Sequence, residues 1–223
     1  MVTARLMPDP CTIAVFARAP VAGQTKTRLI PRLGAEGAAS LHAALTRHCL
    51  KTARAAAIGP VDLWGVDIAH PFLAGVAAEF GATLRPQGGD DLGARMQACF
   101  EAQAGRPCLL VGTDAPIISP NDFRACAEAL KSGNDAVFLP AEDGGYALVG
   151  MRDLIPSIFR DMRWSENDVM AVTRERLRAA GLRWREPRLI WDVDRPPDVD
   201  RLAVSGLLPD FDFTCADFSG PDD

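Results

Sequence analysis

The sequence predicts an α/β fold, a three-layer α/β/α sandwich with helices on both faces of a mostly parallel sheet. Three observations carry this reading. Short apolar or β-branched runs alternate along the chain with longer Ala- and Leu-rich stretches, the signature of consecutive βαβ units. Gly and Pro punctuate the boundaries, as at Gly59-Pro60 and Gly81. No internal repeat or long linker divides the 223 residues, a length that suits one domain, 1–223, around one sizeable core.

Taken in order, Thr12 to Phe16 reads as the first strand. A loop rich in Pro, Gly and basic residues follows from Ala17 to about Pro31. Ala35 to Ala57 is helical by composition, Val61 to Val66 is a second strand, and Pro71 to Phe80 a helix stopped by Gly81. Thr83 to Arg85 is a brief third strand. After Gln87-Gly88-Gly89-Asp90-Asp91 comes a helix from Leu92 to Ala104. Cys108 to Val111 is a buried fourth strand. Ser119 is a plausible N-cap, with Pro120 at the first helical position, for a helix running to about Lys131. Asp135 to Leu139 and Tyr146 to Val149 are strands, Asn167 to Ala180 a helix, Leu189 to Val193 a final strand candidate, and Pro197 to Val204 a short helix. The acidic tail, Pro209 to Asp223, carries Phe211, Phe213 and Phe218 and reads as an edge strand or a loose end.

Bulk properties narrow the function. A formal net charge of −5 argues against a general nucleic-acid binder. The six cysteines are scattered with no CxxC pair, which predicts free thiols in a reducing cytoplasm and no zinc site. Met1 to Pro10 lacks the apolar core of a signal peptide, and no apolar run approaches the ~20 residues of a membrane span. The chain is expected to be soluble and cytoplasmic; its oligomeric state is not legible.

Four segments carry candidate chemistry. In Val111-Gly112-Thr113-Asp114-Ala115-Pro116, a carboxylate follows a buried strand. In an open parallel sheet that places Asp114 where ligands bind, fit to hold Mg²⁺ or Mn²⁺ with a phosphate completing the shell; a lone Asp there also serves simply to turn the chain. In the loop from Phe16 to Leu29, Arg18, Lys26 and Arg28 are cations and Gly23 permits a tight turn, a cradle for a di- or triphosphate or else a solvated basic loop. It is not a Walker A loop, because Thr25 stands where that pattern needs Gly. In Pro140 to Gly150, Glu142 and Asp143 precede Gly144, Gly145 and Tyr146, the one tyrosine of the chain. This is either a hairpin turn or an acceptor-binding wall. In Trp191 to Asp198, Asp192 and Asp194 share one side of an extended segment and offer a second metal carboxylate; alternatively, Asp194 caps the next helix. Gly93 would allow close approach of a base or ribose, Arg95 reaches toward a phosphate, and Trp164 with Ser165 lines the acceptor pocket or simply packs. His42, His48 and His70 have no histidine partner at metal-binding spacing, and no Ser/His/Asp or Cys/His set is legible.

Together the FARAPVAGQTKTRL loop, GDDLGARM from Gly89, VGTDAP from Val111, PAEDGGYALVG from Pro140, Trp164-Ser165 and WDVDRPPDVDRL from Trp191 resemble the DUF2064 family of GT-A-like transferases. That family is also described as arsenosugar-biosynthesis glycosyltransferases and radical-SAM-associated transferases. More distantly the layout is similar to guanylyltransferases of the molybdenum-cofactor and 2-phospholactate type. The resemblance implies a GT-A-like nucleotide-diphospho-sugar transferase fold, with Asp114 as metal ligand, Lys26 and Arg28 on phosphate, and Asp192 or Asp194 as a second ligand. It departs from many GT-A enzymes in having one acid, not DxD, at the metal strand. The expected activity is glycosyl transfer from a nucleotide-diphosphate sugar to a small-molecule acceptor, with Asp143 or Glu142 orienting or deprotonating the acceptor hydroxyl. The alternatives are nucleotidyl transfer from an NTP with release of pyrophosphate, and a non-catalytic nucleotide sensor.

Overall fold

The computed structural model describes residues 10–164 and 166–214. Among these, seven strands form one sheet: β1 (Thr12–Ala17), β2 (Val61–Gly65), β3 (Thr83–Pro86), β4 (Cys108–Gly112), β5 (Ala136–Pro140), β6 (Tyr146–Met151) and β7 (Trp184–Arg185), in the order β3-β2-β1-β4-β6-β5-β7. All run parallel except β6, which is antiparallel to both neighbours. Because β6 runs backwards, its first residue, Tyr146, stands at the edge where the other strands end.

The helices are α1 (Ile30–Ala56), α2 (Pro71–Phe80), α3 (Leu92–Glu101), α4 (Pro120–Lys131), α5 (Val169–Ala179) and α6 (Pro196–Ser205). Strand alternation sorts the core into two layers. Ile13 and Val15 of β1 face α1, α2 and α4, meeting Leu50, Leu73, Val76 and Phe123. Ala14 faces α3 and α5, with Met96, Phe100, Met170 and Leu177. A third cluster joins the start of α1 to α6 through Leu33, Leu41, Leu45, Val199 and Leu202. Burying several such side chains, each contributing about 1.5–3 kcal/mol, makes α6 an integral part of the domain.

Local signals explain most boundaries. At the start of α2 the ring Nδ1 of His70 accepts from Phe72 N–H, Pro71 is the first helical residue, and Gly81 closes the end at φ 60°. Ser119 and Asp122 form a reciprocal capping box on α4. Three differences from the sequence reading have physical causes. The first long helix starts earlier, at Ile30 with Pro31 in its first turn, and bends at Gly34, whose φ of 68° and ψ of 170° no helix holds. Leu189 to Val193 is not a strand: Ile190 alone bridges to Ala141, because the residues after it turn aside to bond Asp114 and Lys26. The two-residue β7 takes the sheet-edge place instead.

The described part of the tail, to residue 214, contains no strand; Phe218 lies outside the described residues, as does Cys215. Cys11, Cys49, Cys99, Cys108 and Cys126 are free thiols. Among the described residues no helix is long and apolar enough to cross a membrane.

Candidate functional site

From β1 the chain winds outward through β2 to β3, and from β4 it continues on the other side of β1. This reversal opens a crevice at the carboxyl ends of β1 and β4, where ligands bind in open α/β sheets. A cavity of about 360 Å³ lies there.

Asp114, two residues beyond β4, is its centre. The Lys26 ammonium lies 2.8 Å from Asp114 Oδ1 and also donates to the Val193 carbonyl at 2.5 Å. Val193 N–H donates to the Asp114 carbonyl at 2.8 Å. Three segments remote in sequence thus close into one knot. The Lys26 side chain is 6% exposed and that of Asp114 48%, so the cation is enclosed while the carboxylate stays half open. Lys26 adopts a left-handed conformation, φ 52° and ψ 41°, at a cost of about 1–2 kcal/mol for a residue with a Cβ, which the interactions of its buried ammonium offset.

Burial pushes the Asp114 carboxyl up, but the charge and hydrogen bond of Lys26, helped by His42 and Thr113, outweigh it and hold Asp114 below the usual carboxylate range. Asp192 behaves oppositely. Burial, then the neighbouring Asp143 and Asp114, push it up to about 6 against the pull of Lys26. All three acids line the cavity. Among the described residues no group of three or more His, Cys, Asp or Glu is disposed to cage an ion. Mg²⁺ and Mn²⁺ need no such cage, since one or two carboxylates suffice when phosphate and water complete the shell. The repulsion that raises Asp192 is of the kind a divalent cation relieves, so Asp114 and Asp192 are a donor pair that fits one.

Other expected site residues are placed differently. Arg28 and Asp194 do not line the cavity; they pair with each other at 2.5 Å. The chain is still extended at Arg195, φ −124° and ψ 159°, before α6 begins, yet Asp192 alone of the two acids lines the cavity. Asp198, not Asp194, caps the helix by accepting from the N–H groups of Asp194 and Arg195. Glu142 also lies off the cavity. Its carboxylate takes a bidentate contact from Arg201 at 2.7 and 3.1 Å, and that guanidinium stacks 4.5 Å over Trp191. Gly23 turns the opening loop at φ 75° with open space around it and does not line the cavity.

Two glycines serve packing rather than ligand approach. A Cβ on Gly93 would lie 2.8 Å from Trp164 Cζ2 and 2.9 Å from the Phe159 carbonyl, so Gly93 seats the indole. A Cβ on Gly144 would fall 1.8 Å from the Asn167 carbonyl, and the Gly144 carbonyl accepts from Met170 N–H at 2.9 Å. The turn is thereby docked on the start of α5. Asp143 bends the same turn by accepting from Gly145 N–H at 2.9 Å; both residues face the cavity.

Arg18, Arg95, Tyr146 and Trp164 line the cavity as well. The Arg95 Nε–H is tied to the Gly89 carbonyl at 3.1 Å. The Tyr146 and Trp164 rings stand perpendicular at 6.4 Å, and the Tyr146 hydroxyl and Trp164 Nε1–H are buried without a hydrogen-bond partner among the described residues. Ser165 lies outside the described residues. Three polar lining residues, His42, Gln87 and Glu166, carried no motif signal. His42 lies on the buried stripe of α1 with Ala38, Leu41 and Leu45, and its Nε2 meets the Arg18 carbonyl at 3.1 Å. Gln87 follows β3 directly. The positional logic that singles out Asp114 after β4 applies to Gln87 too.

The sequence model of a family described as "Uncharacterized protein conserved in bacteria (DUF2064)" matches residues 38–166. No curated protein matches the sequence. Among solved structures, a candidate nucleotide-diphospho-sugar transferase from Desulfovibrio desulfuricans G20 is similar at a TM-score of 0.81 and 28% identity, over 89% of this chain and 88% of that one. The 4-diphosphocytidyl-2C-methyl-D-erythritol synthase of Anaerococcus prevotii DSM 20548 shares the fold at TM-score 0.58 and 11% identity, over 90% and 97% of the two chains. The inositol-1-phosphate CTP transferase of T. maritima does so at 0.57 and 11%, over 94% and 100%.

Proposed function

The chain belongs to the DUF2064 family, and on that premise we propose that it is a metal-dependent glycosyltransferase that takes its sugar from a nucleotide-diphosphate donor. The broader reading, a transferase with a nucleotide-activated donor, is supported by its fold and by its 28% identity to the Desulfovibrio protein. The observation that carries the finer reading is the fate of the loop cations. Lys26 is committed to Asp114 and Arg28 to Asp194, so of the three only Arg18 lines the cavity. That suits a diphosphate better than the more highly charged triphosphate of a nucleotidyl donor.

In this reading Asp114 and Asp192 would hold Mg²⁺ or Mn²⁺, which when bound would supply positive charge against the donor's diphosphate. Lys26 fixes the Asp114 carboxylate from behind. Arg18 and Arg95 orient the phosphates. Asp143, on a turn locked by Gly144 and Gly145, accepts the proton of the acceptor hydroxyl. Tyr146 and Trp164 present their rings as the wall against which the acceptor packs.

The test is to incubate the protein with Mg²⁺ or Mn²⁺, a panel of NDP-sugars and NTPs, and sugar, sugar-phosphate and polyol acceptors. NDP released from a sugar donor is the expected product. Pyrophosphate released from an NTP would replace this reading with nucleotidyl transfer, and binding without turnover across the panel would replace it with a sensor.

A further inference from the structure

We infer that His42 is a positioning residue for the donor: its Nε2–H grips the Arg18 carbonyl and so holds in place the loop cation that faces the cavity. The inference rests on the nucleotide-donor reading above and adds to it a residue that acts through Arg18.

Of the three cations on the opening loop, Lys26 and Arg28 have anionic partners. The Arg18 guanidinium has none among the described residues and lines the cavity. A side chain that no neighbour holds is aimed only by its backbone, and that backbone has just left the sheet. The β1–β2 ladder ends at Ala17 opposite Gly65. From there three side chains take over, one on each of three successive carbonyls. The Gln87 amide donates to Ala17 at 3.1 Å, His42 Nε2 meets Arg18 at 3.1 Å, and the Thr25 hydroxyl donates to Ala19 at 3.0 Å. The three bonds are not equivalent. Gln87 secures a residue still in the strand, and Thr25 belongs to the loop and moves with it. Of the three, it is His42 that ties the chain beyond the strand to a separate element.

That element is rigid. His42 is 4% exposed on the same stripe of α1 as the wholly buried Leu41 and Leu45, and the Thr46 hydroxyl donates to the His42 carbonyl at 2.8 Å. A carbonyl only accepts, so Nε2 carries the hydrogen. The other ring nitrogen, Nδ1, is buried with no partner among the described residues, so the polar contact of the ring goes to Arg18. The Arg18 carbonyl in turn receives no other hydrogen bond among the described residues. An apolar residue at 42 would therefore free the Arg18–Ala19 peptide to rotate, and the guanidinium would leave the chain in another direction. A second histidine uses the helix in the same way. His48 sets its Nε2 2.9 Å from the Pro116 carbonyl, two residues past Asp114. One helix thus holds both rims of the cavity, the β1 exit with Arg18 and the β4 exit with Asp114. Cation and carboxylate are presented to a diphosphate at a fixed separation, the kind of positioning whose loss weakens binding without removing any contacting group.

The test measures binding of UDP, CDP, GDP and ADP with Mg²⁺ by calorimetry and follows the tightest of the four through the variants. His42→Leu is expected to weaken it about tenfold, the scale of one hydrogen bond, and Arg18→Ala by a similar factor. The double variant is expected to bind no more weakly than Arg18→Ala alone, because His42 acts through Arg18. His42→Gln, whose amide nitrogen reaches about as far as Nε2, is expected to stay within about threefold of wild type. Additive losses in the double variant overturn the inference, since a merely structural histidine would weaken both backgrounds alike. So does a His42→Leu protein that binds like wild type, or a folded His42→Gln protein that binds no better than His42→Leu. Should the leucine variant not fold, His42→Asn, whose amide stops short of the carbonyl, takes its place in the same cycle. A wild type that binds none of the four overturns the donor reading itself.

Discussion

Lys26 and Asp114 show how one ion pair does two tasks. The ammonium is enclosed and the carboxylate half open, so removing the anion leaves a buried cation without its main partner, a loss that typically costs about 3–5 kcal/mol in fully buried pairs and less here. Asp114→Asn is expected to lower Tm and to abolish any Mg²⁺-dependent stabilisation by nucleotide. Adding Lys26→Met should recover most of the Tm but none of the nucleotide response. Thermal shift on the two variants checks this, and a double variant no more stable than Asp114→Asn would show that the pair does not hold the knot together. Glu142 and Asp143 separate as sharply. They are adjacent acids with the same chemistry, yet one is bound to Arg201 off the cavity and the other faces into it. Glu142→Gln should retain turnover within about twofold, whereas Asp143→Asn should lose about 10²-fold or more if it is the acceptor's base. Initial rates with a saturating donor decide, and equal losses in both would reassign the role.

At the scale of elements, the glycines that meet other segments matter most. Gly93 lets α3 approach Trp164 and Phe159 closely enough to seat the indole against the cavity. Gly93→Ala is expected to cost about 1–3 kcal/mol by overpacking and to change the near-ultraviolet circular dichroism as Trp164 shifts; an unchanged spectrum with unchanged Tm would mean that the indole yields freely. The same scale shows what could be read from the chain beforehand. α2 was legible to the residue because Pro71 and Gly81 are local signals. So was the place of Asp114, since a buried strand ending in Gly-Thr-Asp needs no distant partner to be recognised. The reversed direction of β6 follows from the local hairpin turn between Pro140 and Tyr146, but the two-residue β7 and the fate of Leu189 to Val193 depend on contacts between segments remote in sequence, such as 190 with 141 or 193 with 114. Nothing in local periodicity encodes those. Glu142 and Asp143, or Asp192 and Asp194, are indistinguishable until a third segment chooses between them. Gln87 was hidden for a related reason, since its side-chain amide is held by two carbonyls supplied by β1 and β2.

Across the whole molecule, α1 ties the core to the site, and its histidines make the tie sensitive to pH. Burial is the main cause that lowers both His42 and His48, against the Asp114 charge and then the Arg18 carbonyl at His42, and the Pro116 carbonyl at His48, which favour their charged forms. An unfolded chain binds protons at these two rings as pH falls through about 6.5, while the folded chain resists, so stability drops in that window. Asp192 has the opposite sign. Its folded value is raised to about 6, so it contributes stability that is full below the unfolded carboxylate range and fades as pH rises through about 6. Between pH 7 and 5 two groups therefore work against one, and the net expectation is a falling Tm. Asp114 and Glu186, both held low by cationic partners that outweigh or exceed their burial, enter only below about pH 4.5 and steepen the loss there. Asp192→Asn removes the opposing group, so its Tm should fall more steeply than wild type from pH 7 to 5. A parallel or shallower profile in that variant would mean that Asp192 is not held near neutrality by its acidic neighbours, and that the three carboxylates do not converge as closely as the β4 end and the β5–β6 turn place them.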